Sequence, residues 1–194
     1  MQPEEKLEEM ILVGLDAGDG MWKRVEQTYS LLSHYLASIG VRGELKRLKL
    51  APGLVSDRKD EISHALGRAS HDGVLELFLT GGPRMLIVAT LLAAYTLDDE
   101  ESMRIRVVSY GEGFPGSIHA WLGHIKALNK LDRESRLILK NIRDGHNTVR
   151  ELLRIMDIPR STLYKKLDDL ARLGLIEKTG TGAWRVQRDL ENLI

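Results

Sequence analysis

The stretch Thr80-Gly81-Gly82-Pro83-Arg84-Met85 carries the residue types that hold a phosphate. Glycines let a ligand approach the backbone, proline is preorganised for a helix's first turn, and the free amides at a helix start favour an anion. It is not a Walker loop, because the lysine followed by serine or threonine is missing. A second glycine-rich turn, Asp16-Ala17-Gly18-Asp19-Gly20, lacks the full dinucleotide-binding spacing. On residues alone, a tight strand-to-helix turn without ligand explains the glycine pair equally well. Cationic and hydroxyl groups also gather between Arg160 and Lys166. Metal chemistry finds no footing: there is no cysteine, and the six histidines are scattered at 34, 64, 71, 119, 124 and 146. His119 and His124, five apart, do not share a helical face.

The elements that must position these groups alternate between strand and helix in the first segment. Met10 to Leu15 reads as an apolar strand, followed by a helix with Val25, Tyr29, Leu32, Leu36 and Ile39 inward and Gly40 at its stop. Val41 to Leu50 changes apolar phase midway and suits an edge strand or a bulge. Asp57 to Ala69 is a second helix. Val74 to Thr80 is a nearly continuous apolar strand, as in the centre of a covered parallel sheet, and an apolar helix follows from Pro83. Met103 to Tyr110 is a fourth strand, and Gly111 to Gly116 breaks regular structure. Strand, helix, strand repeats predict a parallel sheet whose ligands bind outside the carboxyl ends of the strands, where both glycine-rich turns fall. Ser117 to Leu131 reads as a helical connector.

The C-terminal segment reads as three helices and a hairpin. Asp132 caps a helix with Leu137, Ile138 and Ile142 inward, ending near Gly145. Thr148 and Glu151 have capping-box spacing ahead of Val149, Leu152, Leu153 and Met156. After Asp157-Ile158-Pro159, a third helix places Leu163, Leu167 and Leu170 inward and Thr162, Lys165, Lys166 and Asp169 outward. Two short strands, 175–178 and 183–186, flank Thr179-Gly180-Thr181-Gly182 as a β-hairpin.

The stretch IPRSTLYKKLDDLARLGLIEKTGTGAW resembles the winged-helix domains of prokaryotic transcription regulators, a likeness covering the last 63 residues. Helix-turn-helix domains set the start of the third helix in the major groove. The candidate DNA contacts are therefore Arg160, Ser161, Thr162, Tyr164, Lys165 and Lys166, with Lys178, Thr181 and Arg185 on the wing. Arg160 is the expected base reader, and the lysines attract phosphate. A protein-interaction module is the alternative use of the same fold.

ELFLTGGPRM resembles the threonine-glycine-glycine motif of CARF domains, the CRISPR-associated Rossmann-like sensors, and GLDAGDGMWKRV resembles their other ligand loop. A CARF domain followed by a winged helix is the plan of archaeal-type CRISPR-associated transcriptional regulators. The resemblance implies an α/β fold with a Rossmann-like parallel sheet at 1–116, a helical connector at 117–131 and a winged helix-turn-helix at 132–194. It further implies a homodimer that binds a cyclic oligoadenylate, most often the tetra-adenylate, across its two-fold axis. Thr80, Gly81, Gly82 and Arg84, with Pro83 and Met85, would hold phosphate or ribose. Asp16, Gly18, Asp19 and Gly20 would contact sugar or base edges. Pro83 stands where the family often has a hydroxyl residue, and Asp16 and Asp19 set negative charge beside a polyanion. The helix Met85 to Leu97 faces either its own core alone or also a partner. Two-fold symmetry predicts a palindromic double-stranded operator. The expected role is binding and not catalysis, with no cofactor; a ring nuclease that cleaves the cyclic ligand, or a plain winged-helix regulator with a degenerate sensor, is the alternative.

Composition fits this division of labour. The 194 residues carry 28 basic and 28 acidic side chains, but residues 1–131 hold 15 basic against 18 acidic and residues 132–194 hold 13 against 10. The basic tail favours a polyanionic partner. The apolar run from Met85 to Leu97 falls short of the roughly 20 residues a membrane span needs. The start Met-Gln-Pro-Glu-Glu lacks the basic and apolar regions of a secretory signal, so the expected location is the cytoplasm.

Overall fold

The computed structural model describes residues 7–16, 20–41, 43–51, 55–71, 73–79, 83–111, 116–180 and 182–190, with backbone alone at 21 and 55–57. The chain is α/β, with small sheets that include parallel pairs. It divides into two compact units, Met1–Glu61 with Gly82–Thr90 and Ile62–Gly81 with Leu91–Ile194.

In the first unit, β1 (Glu9–Leu15) and β2 (Glu44–Leu50) pair in parallel, from Glu9 opposite Glu44 to Leu15 opposite Leu50. The connection is α1 (Met21–Ser38). The Tyr29 hydroxyl donates to the Leu45 carbonyl at 3.0 Å, and the Arg47 guanidinium lies 4.3 Å from the centre of the Tyr29 ring, so this helix is fastened to β2. Leu45, Leu48 and Leu50 point away from solvent and the charges between them outward, with the change of phase at Arg47. Leu36 is buried as the helical spacing predicts, but Ile39 is exposed. The reason is its position one residue past the helix end, where Gly40, at φ 77°, turns the chain away. The helix α2 (Val55–Ser70) begins in this unit and ends in the next.

The second unit holds β3 (Leu75–Phe78) parallel to β4 (Ile105–Tyr110), with Leu75 opposite Ile105. Leu77, Ile105, Val107 and Val108 are buried, as a covered strand pair requires. Between them come α3 (Arg84–Thr96), which starts in the first unit, and α4 (Asp99–Ser102). The one-turn helix α4 was not expected, although Asp98 and Glu101 form a complete capping box. Parallel pairing joins each strand–helix–strand repeat, but among the described residues β1 to β4 divide between two sheets and do not form the single sheet the repeats predict.

The expected helical connector needs correction. Ser117–Trp121 is a strand, β5, antiparallel to β4 with Tyr110 opposite Ser117; only Leu122–Lys130 is helical, as α5. The Gly111 amide donates to the Gly116 carbonyl at 2.9 Å, which closes the hairpin. β-branched Ile118 and aromatic Trp121 then fit the pleated surface better than a helix.

The remaining chain builds α6 (Arg133–Arg143), α7 (Val149–Ile155), α8 (Arg160–Arg172) and the antiparallel pair β6 (Ile176–Lys178) and β7 (Trp184–Val186). One apolar core joins Ile138, Leu139 and Ile142 of α6, Leu152 of α7, Leu163, Leu167 and Leu170 of α8, and Ile176, Trp184 and Val186 of the hairpin. Each fully buried leucine stabilises the fold by about 1.5–3 kcal/mol. Both predicted caps form: Asp132 accepts the Ser135 amide at 2.8 Å, and Thr148 and Glu151 cap α7 reciprocally. Leu137, read as inward, is exposed; the buried row is Ser135, Ile138, Leu139 and Ile142, which places Leu137 on the solvent side. The Trp184 amide donates to the Asn147 carbonyl at 2.8 Å, tying the hairpin to the turn before α7.

Candidate functional site

The strongest cluster of proposed contacts lies at the start of α8. Pro159 occupies the N-cap position and offers no side-chain cap, so the first amides of the helix are not capped by its own N-terminal side chain. Arg160, Ser161 and Lys165 are exposed, Tyr164 is exposed at its margin, and Thr162 is half-buried. The Arg160 guanidinium donates to the Tyr164 hydroxyl at 3.4 Å and lies 5.6 Å from the centre of its ring. That hydrogen bond raises the Arg160 pKa further, and the guanidinium, a permanent cation, lies against the Tyr164 ring. A guanidinium set this way can meet the paired acceptors of a guanine edge or a phosphate. Lys165 has no ion-pair partner among the described residues.

Lys166 departs from the expectation. Its side chain is only 14% exposed, and its ammonium contacts the Asp132 carboxylate at 2.6 Å and that of Glu134 at 3.2 Å. The cause is the crossing of α8 over the start of α6, which brings the acidic first turn of one helix against the lysine of the other. The Lys166 ammonium and the Ser135 amide hold the Asp132 carboxyl down at about 2. Reciprocally, the Asp132 hydrogen bond raises the Lys166 pKa. Lys166 therefore staples α8 to α6 and is removed from the set of free cations.

On the hairpin, Lys178 is exposed with its ammonium 5.9 Å from the centre of the Trp184 ring. Arg185 is exposed but paired with Glu177 across the strands at 2.9 Å. Such exposed pairs contribute little to stability. Thr181 lies outside the described residues. Two cations were not singled out in the sequence: Arg150 and Arg154 on α7, both exposed and without an ion pair among the described residues. Their spacing of four, which puts both on one helical face, was the available signal.

Of the first glycine-rich turn, Asp16 and Gly20 are described and Gly18 and Asp19 are not. Asp16 ends β1: its amide donates to the Leu50 carbonyl at 2.8 Å and its carboxylate pairs with Lys49 at 2.7 Å. The same ammonium lies 4.9 Å from the centre of the Trp22 ring. The negative charge of Asp16 is thus already countered. Gly20, at φ 82°, takes the left-handed conformation that starts α1, with no side-chain cap. Of the second turn, Thr80, Gly81 and Gly82 lie outside the described residues. Pro83 is exposed and its carbonyl accepts the amides of Leu86 and Ile87 at 2.9 and 3.2 Å, which opens α3. Arg84 and Met85 are exposed, and Arg84 has no ion pair among the described residues.

Among the described residues no group of three histidine, aspartate or glutamate side chains converges as a metal site. No helix among them is long and apolar enough to cross a membrane. No protein-family model matches the chain, and no curated protein matches it.

Proposed function

We propose that the protein is a ligand-responsive, DNA-binding transcriptional regulator of CRISPR-associated genes, with a CARF-like sensor joined to a winged helix. The reading rests on its resemblance in sequence and on one structural observation: a three-helix and hairpin unit that leaves Arg160, Ser161 and Lys165 outward at the start of α8. In that reading α8 is the recognition helix, β6 and β7 form the wing, and Arg150 and Arg154 of α7 touch the phosphate backbone. Arg160, oriented by Tyr164, reads a base.

The sensor half is read as a Rossmann-like domain, which its two parallel strand pairs, β1 with β2 and β3 with β4, support. Its proposed ligand is a cyclic oligoadenylate, the tetra-adenylate first, with Arg84 on a phosphate. The neutralisation of Asp16 by Lys49 supports a polyanion there. A homodimer is supported by α3, which buries Ala89, Ala93 and Ala94 yet leaves Met85, Val88, Leu91, Leu92 and Tyr95 between 39% and 57% exposed. A helix that is apolar on both faces calls for two neighbours.

Melting the protein with a panel of cyclic oligoadenylates tests the sensor, since a ligand bound only by the folded state raises the melting temperature by mass action, about 2.7 kcal/mol at a hundredfold excess over Kd. Selection of duplexes from a random library tests the reader. A palindromic consensus together with a ligand shift supports the proposal. A consensus without any shift leaves a plain winged-helix regulator, and the absence of both consensus and shift defeats the reading.

A further inference from the structure

Helix α5 carries a lysine where a packed helix ordinarily carries an apolar residue. Lys126 is 9% exposed, and its ammonium reaches the Leu97 carbonyl at 2.5 Å, the Ser102 hydroxyl at 3.0 Å, the Asp98 carbonyl at 3.4 Å and the Asp99 carboxylate at 3.7 Å. These acceptors lie in the turn after α3 and in α4. A helix's last carbonyls lack partners within the helix, and a cation there also meets the negative end of its dipole. The next residue, Ala127, is buried in the core shared by α6, α7, α8 and the hairpin, with Leu128 and Leu131 packed against it.

Three further contacts fix α5 in place. The His124 ring pairs with the Asp189 carboxylate at 2.9 Å, and the same carboxylate accepts the Trp121 amide at 3.4 Å. A Cβ on Gly123 would stand 2.9 Å from the Cα of Met103, so α5 lies flush on the chain between α4 and β4. Two faces of one short helix thus hold two different parts of the molecule. An apolar side chain in place of Lys126 would fill the space without selecting which carbonyls it faces. Buried charges are well suited to fixing register in this way.

We infer that Lys126 is a positioning residue that sets where the C-terminal helices stand relative to the end of α3. For its purpose the inference rests on the regulator reading, in which α3 carries the dimer contact. Tyr95, on the exposed stripe of α3, has its ring centre 5.8 Å from the Lys126 ammonium, so a neighbour seated on that stripe reaches the same turn. The exposed Lys130, one turn further along α5, pairs with Asp99 at 2.6 Å but is open to solvent, and it has no such role.

The chain has no cysteine, so nitroxide labels can be placed at will. The full chain with Leu91→Cys and Lys165→Cys, diluted with unlabelled protein, gives the α3 to α8 distance distribution within one chain. A single narrow distance is expected with Lys126. Lys126→Met loses it to a broadened or split distribution at unchanged helical content, whereas Lys130→Met keeps it. An unaltered distribution in Lys126→Met, or equal broadening in Lys130→Met, overturns the inference. If Lys126→Met does not fold, Ser102→Ala decides: partial broadening supports the role, and none refutes it. The measurement needs neither DNA nor ligand, so failure of duplex selection would remove the regulator reading and leave this result standing or falling by itself.

Discussion

Replacing Lys165 and Lys166 with alanine, one at a time, will produce two different defects. Lys165 is exposed and unpaired among the described residues, so its charge is available to a phosphate. Each phosphate neutralised adds about 0.9 to the slope of log affinity against log salt, so a fourfold rise in salt should weaken Lys165→Ala about 3.5-fold less than the parent. Its melting temperature stays where it was. Lys166 is spent inside the fold on Asp132 and Glu134. Those carboxylates are 61% and 52% exposed, which limits the ion pairs to about 0.5–1 kcal/mol. Loss of the buried aliphatic stem raises the cost of Lys166→Ala to about 1–2 kcal/mol, or roughly 2–8 °C in a chain of this size. Its salt slope stays parental. Fluorescence anisotropy on one duplex between about 50 and 200 mM salt, with a melt of each variant, reads both. A lowered slope in Lys166→Ala with an unchanged melt, and the reverse in Lys165→Ala, would refute the placement of the two ammonium groups.

The remaining expectations use other parts of the molecule. Asp132→Ala removes the cap of α6 and will cost about 1 kcal/mol near neutral pH by thermal melting. Because the folded carboxyl is depressed to about 2 from an ordinary 3.8, that difference is complete above the ordinary value and shrinks as pH falls through about 2; a gap of constant size in acid would contradict the assignment. Val88→Glu with Leu92→Glu will convert a dimer to monomer in sedimentation, and a sedimenting species of unchanged mass would exclude α3 as the interface. Arg84→Ala will abolish the melting shift given by a cyclic oligoadenylate while leaving duplex affinity intact; equal loss of both would deny the separation of sensor from reader.

The sequence was most readable where local chemistry decides structure by itself. Thr148 and Glu151 announced α7 because hydroxyl and carboxylate satisfy backbone donors only three residues apart, and Leu163, Leu167 and Leu170 announced the inward face of α8 by spacing alone. Ser117 to Trp121 carries little local strand signal, because its strand character comes from pairing with β4, closed by the Gly111 amide on the Gly116 carbonyl. The pairing of Lys166 is hidden for the same kind of reason. Its neighbours in sequence are exposed, but its carboxylate partners stand 34 and 32 residues away on another helix. Lys126 carries no signal in the sequence, since two of its four acceptors are main-chain carbonyls that any sequence possesses and the other two lie 24 and 27 residues away. At the glycine-rich turns the residue types carried the ligand reading, and the structure adds the pairing of Asp16 with Lys49 that spacing could not foresee.

The most direct measurement is the affinity of the protein for its selected duplex with and without saturating cyclic tetra-adenylate. Coupling between sensor and reader predicts a change in Kd of about 5- to 150-fold, the range spanned by coupling free energies of about 1–3 kcal/mol. Identical affinities, at a ligand concentration that raises the melting temperature, would contradict it.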